Sequence, residues 1–233
     1  LKRIWGLIPA AGVGARMGLD QPKQYLRLGT RTMLERAAEA LLSDTRVHRV
    51  LVVTAPHDTR WQPLSFSTAC DCVPLGGGTR AQSVWQGLAA LRQRGATDAD
   101  LVLVHDAARP CLSPHDVSQL IDIASTHPDG GVLALPVGDT LKRESTCQPD
   151  HIEQTVERAG LWRALTPQCF SLALLQKALD TFANDPAITD EASAIERLGR
   201  TPRLVRGLAT NLKITTPEDL ALAQAILMQQ GRW

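Results

Sequence analysis

The stretch LVLVHDAARP, Leu101 to Pro110, opens with four apolar residues and closes in His-Asp-Ala-Ala-Arg-Pro. A short unbroken apolar run bounded by polar residues predicts a strand covered on both faces, as in parallel α/β sheets. HRVLVVTA (His48–Ala55) reads the same way, and RIWGLIP (Arg3–Pro9) and GVLALPV (Gly131–Val137) supply two more strands. Between them lie helix starts. Thr32-Met33-Leu34-Glu35 and Thr79-Arg80-Ala81-Gln82 are capping boxes. Ser113-Pro114 and Thr216-Pro217 each place a cap residue before a proline at the first helical position. Thr189-Asp190-Glu191 opens a further helix. Strands alternating with helices require crossovers, so the fold class is α/β: a Rossmann-like, doubly wound, mostly parallel sheet.

One stretch breaks this rhythm. GDTLKRESTCQPDHIEQTVER, Gly138 to Arg158, is polar and offers little to bury. A structureless loop of that length is uncommon in a compact domain. A projecting β-hairpin arm that pairs with another subunit is the better expectation.

Composition narrows the partners. The 233 residues are 44% hydrophobic and 21% charged, with a formal net charge of +1. No global field recruits nucleic acid or an anionic membrane, although a local basic site for a small polyanion fits. No apolar run reaches the roughly 18 residues that a membrane span needs. A cytoplasmic protein is therefore expected. The five cysteines, Cys70, Cys72, Cys111, Cys147 and Cys169, are odd in number and irregular in spacing, which argues for reduced thiols rather than a disulfide framework.

Four segments offer chemistry. LIPAAGVGARMG (Leu7–Gly18) gives G-x-G-x-x-x-G, which fits neither the dinucleotide fingerprint nor the P-loop. It is either a glycine turn ending a buried strand or a phosphate cradle of another kind, with Arg16 as a forked cation and Lys23 seven residues on. The hydrophobic strand of LVLVHDAARP ends in His105-Asp106-Ala107-Ala108-Arg109, which delivers Asp106 to the carboxyl end of the sheet, where ligands bind in open α/β folds. There a carboxylate either holds Mg²⁺ against phosphates, or caps a nearby turn or pairs with Arg109. His105 reads as a satisfied core histidine. LGGGTRAQSV (Leu75–Val84) sets Gly76, Gly77 and Gly78 before a capped helix, with Arg80 and Ser83 facing the same opening. NLKIT reads as a strand whose alternation turns Lys213 to a wetter side than Leu212 and Ile214.

LIPAAGVGARMG, PKQYLRLGTRTMLE, GGGTRAQSV, VLVHDAARP, LTPQCF, TDEASAIE and NLKITTPEDL occur in that order. Together they resemble the 2-C-methyl-D-erythritol 4-phosphate cytidylyltransferases of the non-mevalonate isoprenoid route, and the likeness covers nearly the whole chain. The resemblance implies one glycosyltransferase-A-like nucleotidyltransferase domain over 1–233, with an arm insertion at about 138–158. It implies CTP as co-substrate, Mg²⁺ as divalent cation, and a homodimer formed through the arm. Arg16 and Lys23 would stabilise the transition state. Ala10, Ala11, Gly12, Gly14, Gly77, Gly78, Arg80, Ser83, Asp106 and Ala107 would line the CTP site, with Asp106 on the metal. Lys213, Arg158, Thr140, Arg109 and Thr189 would grip methylerythritol phosphate, Thr140 and Arg158 coming from the partner subunit. Gly78 stands where some members carry aspartate. The chain stops soon after Lys213, so no fused cyclodiphosphate synthase domain is expected. Two other readings compete: a ribitol-5-phosphate cytidylyltransferase, and a non-catalytic nucleotide-binding scaffold.

Overall fold

The computed structural model describes residues 2–12 and 21–233. Seven strands form its central sheet: β1 (Ile4–Ala10), β4 (Val47–Thr54), β5 (Cys70–Val73), β6 (Leu101–Val104), β7 (Gly131–Pro136), β10 (Trp162–Ser171) and β11 (Arg203–Arg206). Their order across the sheet is β11-β7-β10-β6-β1-β4-β5. Pairing is parallel except at β10, which runs antiparallel to both of its neighbours, β6 and β7. Two further short strands, β2 (Arg27–Leu28) and β3 (Arg31–Thr32), form a separate ribbon.

Strand alternation explains why the sheet is covered on both sides. Along β6, Leu101 and Leu103 join one core and Val102 and Val104 the other. Along β1, Ile4, Ile8 and Ala10 share the first face, while Trp5 and Leu7 share the second. The first face is closed by α1 (Met33–Leu41) through Leu34, Ala37 and Leu41. On the same side, α3 (Pro114–Thr126) adds Val117, Leu120 and Ile121. The second face is closed by α2 (Arg80–Gln93) through Val84, Leu88 and Leu91. There α4 (Leu172–Phe182) and α5 (Glu191–Arg197) add Leu175, Leu179 and Ile195. Each fully buried side chain of this size stabilises the fold by about 1.5–3 kcal/mol. The last helix, α6 (Pro217–Gln229), closes a smaller cluster with Leu28, Met33, Cys111 and Ile214.

The expected caps are all present. Thr32 and Thr79 close full capping boxes with Glu35 and Gln82. Ser113 accepts from Asp116 N–H ahead of Pro114, and Thr216 precedes Pro217 with Asp219 completing its box. At the helix expected from Thr189-Asp190-Glu191, the cap is Asp190, whose carboxylate accepts from Ser193 N–H.

The polar stretch 138–158 folds as a hairpin of β8 (Leu141–Glu144) and β9 (Ile152–Val156). It forms its own two-stranded sheet, almost wholly exposed. NLKIT departs from expectation, since residues 212–215 form no ladder. That segment is extended but bonds to a loop, Ile214 N–H donating to the Ala108 carbonyl at 2.8 Å. Side-chain alternation survives, with Ile214 buried and Lys213 exposed. Cys70 and Cys72 lie in the edge strand β5 as free thiols. Burial pushes Cys72 up to about 12, away from the thiolate form that metal binding uses. Among the described residues no helix is long and apolar enough to cross a membrane.

Candidate active site

The carboxyl ends of β1, β4 and β6 open on one edge of the sheet, and the site is built there. Parallel register carries Leu7 beside Val104, and His105 N–H extends the ladder by donating to the Leu7 carbonyl at 2.9 Å. The chain then turns, which leaves Asp106 and Ala107 at the rim. On the other side of β1, Gly76 N–H donates to the Thr54 carbonyl at 2.8 Å. A Cβ on Gly76 would lie 2.3 Å from Ala11 Cβ and 2.8 Å from Thr54 O, so only glycine lets this loop press against the end of β1. Gly77 and Gly78 then lead to the Thr79 cap. Ser83, one turn into α2, accepts from Gly77 N–H at 3.1 Å and donates to the Thr79 carbonyl at 3.0 Å. This serine fixes the loop to its helix.

These pieces enclose a cavity of about 340 Å³. Its walls carry Ala10, Ala11, Gly12, Lys23, Gly77, Gly78, Arg80, Ser83, Asp106, Ala107 and Lys213. The structure thus brings together the residues expected around CTP from three separate segments, and adds Lys23 and Lys213. Gly14 and Arg16 lie outside the described residues. Arg109 sits behind the wall, 7% exposed. Thr189 lines a neighbouring cavity of about 200 Å³ that shares Thr79 and Arg80 with the first. Thr140 and Arg158 are exposed at the root of the hairpin, where Arg158 donates to the Gly138 carbonyl, and neither lines the cavity.

Electrostatics centre on Asp106. Its Oδ1 takes Arg80 Nε at 3.1 Å, and its Oδ2 takes Lys213 Nζ at 2.9 Å. Arg109 Nε stands 3.7 Å from Oδ2, an ion pair too long for a hydrogen bond. Burial alone would raise the Asp106 pKa. Arg80 above all, then Lys213 and Arg109, outweigh burial and hold the carboxyl well below the usual range. Arg80 is gripped from behind by Glu191, Nη1 to Oε1 and Nη2 to Oε2, in a bidentate pair. Glu191 is 1% exposed, and burial pushes its pKa up against the pull of Arg80. Lys23 Nζ donates to the Ile214 carbonyl at 2.7 Å. Asp106 thus stands among three cations, Arg80, Arg109 and Lys213, with Glu191 behind Arg80, and Lys23 lines the same cavity, a cation-rich setting that suits an anionic ligand.

A ring of hydrogen bonds holds the Asp106 turn. Asp106 N–H donates to Thr166 Oγ1 at 3.0 Å. The Thr166 hydroxyl donates on to His105 Nδ1, and His105 Nε2–H donates to the Arg109 carbonyl, both at 3.0 Å. Of the two neutral tautomers, only Nε2–H satisfies both contacts. Burial accordingly pushes His105 down to about 4, so it is the satisfied core histidine expected from sequence. Arg109 Nη1 reaches the Asn211 carbonyl, and Asn211 Nδ2 reaches the Thr166 carbonyl, each at 2.8 Å. Sequence reasoning assigned no role to Glu191, Gln24 or Asn211. Glu191 reads as an ordinary first-turn helix acid, and nothing local shows that Arg80, 111 positions away, is its partner.

Comparison with known proteins identifies the family. A family model described as 2-C-methyl-D-erythritol 4-phosphate cytidylyltransferase matches residues 4–229. The enzyme of that name from Laribacter hongkongensis is 50% identical over 229 residues, covering 97% of each chain. That from Vibrio parahaemolyticus is 46% identical, covering 96% of this chain and 95% of its own. A crystal structure of a 4-diphosphocytidyl-2C-methyl-D-erythritol synthase superposes with a TM-score of 0.83 at 40% identity, covering 97% of this chain and 99% of that one. The Francisella tularensis 2-C-methyl-D-erythritol 4-phosphate cytidylyltransferase gives 0.81 at 32% identity, covering 97% and 100%. Glycine loop, cation cluster and rim aspartate thus sit in a chain that belongs to the 2-C-methyl-D-erythritol 4-phosphate cytidylyltransferase family.

Proposed function

We infer that the protein transfers the cytidylyl group of CTP to 2-C-methyl-D-erythritol 4-phosphate, giving CDP-methylerythritol and pyrophosphate in isoprenoid precursor biosynthesis. The observation that carries this reading is the cavity at the strand ends, where glycine backbone and the cations Lys23, Arg80 and Lys213 surround Asp106. The nucleophile is a phosphate monoester oxygen, largely dianionic at pH 7 because its second pKa is about 6. It forms a P–O bond to the α-phosphorus of CTP, and the bond to the β-phosphate breaks, pyrophosphate leaving with the electron pair. No general base is required. The chemistry instead needs two polyanions brought together and the growing charge neutralised.

Lys23 lines the cavity and, with Arg16, is assigned to the developing charge at phosphorus. Gly12, Gly77 and Gly78 would offer backbone to the triphosphate and cytosine edges, and Ser83 keeps Gly77 in place. Lys213, Arg109 and Thr189 are assigned to methylerythritol phosphate, together with Thr140 and Arg158 of the partner subunit in a homodimer joined by the arm. The exposure of Ile152, Leu161 and Trp162 on the arm and beside its base supports such a contact. Asp106 offers one carboxylate on the cavity wall, which fits Mg²⁺, an ion usually held by one or two carboxylates plus substrate phosphates and water. When bound there, Mg²⁺ would neutralise and orient the triphosphate. Arg80 and Lys213, which pair with Asp106 here, would then be able to serve phosphate oxygens as well.

A pyrophosphate-release assay with CTP and Mg²⁺ tests the reading. Turnover is expected with methylerythritol phosphate. Turnover with ribitol 5-phosphate alone would overturn it, and no turnover with either would favour a non-catalytic binding protein.

A further inference from the structure

Gln24 is 5% exposed and lies at the floor of the cavity, yet the transfer chemistry above gives it no task. It is the middle residue of a single 3-10 turn, Lys23–Tyr25. Three residues per turn send three successive side chains in three directions. Lys23 reaches the Ile214 carbonyl, and the Tyr25 hydroxyl donates to Asp58 Oδ2 at 2.8 Å. Gln24 reaches back to β1, its Nε2 donating to the Ala10 carbonyl at 2.9 Å and to the Gly12 carbonyl at 3.3 Å.

We propose that Gln24 is a positioning residue, whose amide sets the peptide planes that meet the phosphates of CTP and ties them to Lys23. The proposal rests on the cytidylyltransferase reading. A primary amide nitrogen has two hydrogens, and both are committed to protein carbonyls here, so Gln24 Nε2 keeps no donor for a ligand. Its effect passes through the backbone. In a trans peptide the carbonyl and the following N–H point opposite ways. Holding the Ala10 carbonyl toward Gln24 therefore turns the Ala11 N–H to the other side, and Ala11 is a cavity-lining residue. Among the described residues, a Cβ on Gly12 would meet nothing within 4 Å, so packing leaves this peptide room to turn and the Gln24 amide holds its carbonyl. Because Lys23 is the adjacent residue in the same turn, one side chain keeps backbone donors and reactive cation in register.

The test is steady-state kinetics of the intact protein with the Gln24→Met variant, which keeps length and volume but removes both donors. KM for CTP is expected to rise about tenfold, the loss of one to two hydrogen bonds. KM for methylerythritol phosphate should stay within about twofold, a split that general loosening of the fold does not produce. Gln24→Asn, which keeps the amide but cannot reach, should show the same split, and it serves if the methionine variant fails to fold. An unchanged KM for CTP, or equal rises in both KM values, would overturn the assignment. An inactive wild-type protein would instead overturn the functional reading, so the two failures are distinct.

Discussion

Two aspartates bracket β6, and their surroundings give them different work. Asp106 follows the strand at its carboxyl end, beneath Arg80, Lys213 and Arg109. Asp100 precedes the strand and is 2% exposed. It accepts from Arg3 N–H at 2.9 Å, Thr97 N–H at 3.0 Å and the Trp5 indole at 3.1 Å. Burial alone would raise its pKa, but these donors outweigh burial and lower it to about 2. A carboxyl with a depressed folded pKa adds stability above its unfolded value, near 4, and loses it as pH falls toward 2. Asp100→Asn should therefore destabilise the protein by about 2 kcal/mol at pH 7, with the gap to wild type closing between pH 4 and pH 2. Urea unfolding at several pH values reads this, and a gap that does not change with pH would show that the carboxylate charge is not what the donors hold. Asp106 was legible in the sequence because an apolar strand ending in an acid announces a rim position. Asp100 and Glu191 were not, because what defines each is a partner remote in sequence: Arg3 and Trp5 for one, Arg80 for the other.

Elements with local signals were readable, and those with remote partners were not. Caps are written within four residues, so the starts of α1, α2, α3 and α6 follow directly from sequence. The strands β1, β4, β6 and β7 were legible as apolar runs. β10 was not, because its first three residues are exposed and its antiparallel place between β6 and β7 depends on long-range pairing. NLKIT showed the opposite failure: its alternation was real, but a ladder needs a neighbouring strand and the segment meets a loop instead. The α1 box shows how much one such local signal carries. Glu35 Oε2 accepts from Thr32 N–H at 2.6 Å and from its hydroxyl at 2.8 Å, while Glu35 Oε1 takes Ser65 N–H at 3.0 Å. Thr32→Ala removes the cap for Glu35 N–H and should cost about 1–2 kcal/mol in urea unfolding. The cavity is built from other residues, so kcat should be unchanged, and a fall in kcat would mean that α1 transmits to the site.

At the scale of the whole molecule, the arm decides whether one chain suffices. Among the described residues of one chain, the hairpin strands pair only with each other, and Thr140 and Arg158 at their root do not line the cavity that holds Lys23 and Lys213. We propose that those two residues serve methylerythritol phosphate in a second copy, so that each site is shared between subunits. A C₂ dimer of this kind has two equivalent sites, each taking Lys23 from one chain and Arg158 from the other. Mixing two inactive variants separates this arrangement from its rival. Lys23→Met spoils the site in its own subunit, and Arg158→Ala spoils the site across the interface. When the two are dissociated, mixed in equal amounts and reassociated, half of the dimers are mixed. Each mixed dimer holds one site with both residues intact, so activity should return to about a quarter of wild type under random pairing. The measurement is pyrophosphate release before and after exchange, with sedimentation confirming dimers throughout. If Arg158 acted within its own chain, every site would lack one residue and mixing would restore nothing. Dimers that regain no activity would therefore place Arg158 in its own subunit and remove the partner subunit's arm from the active site.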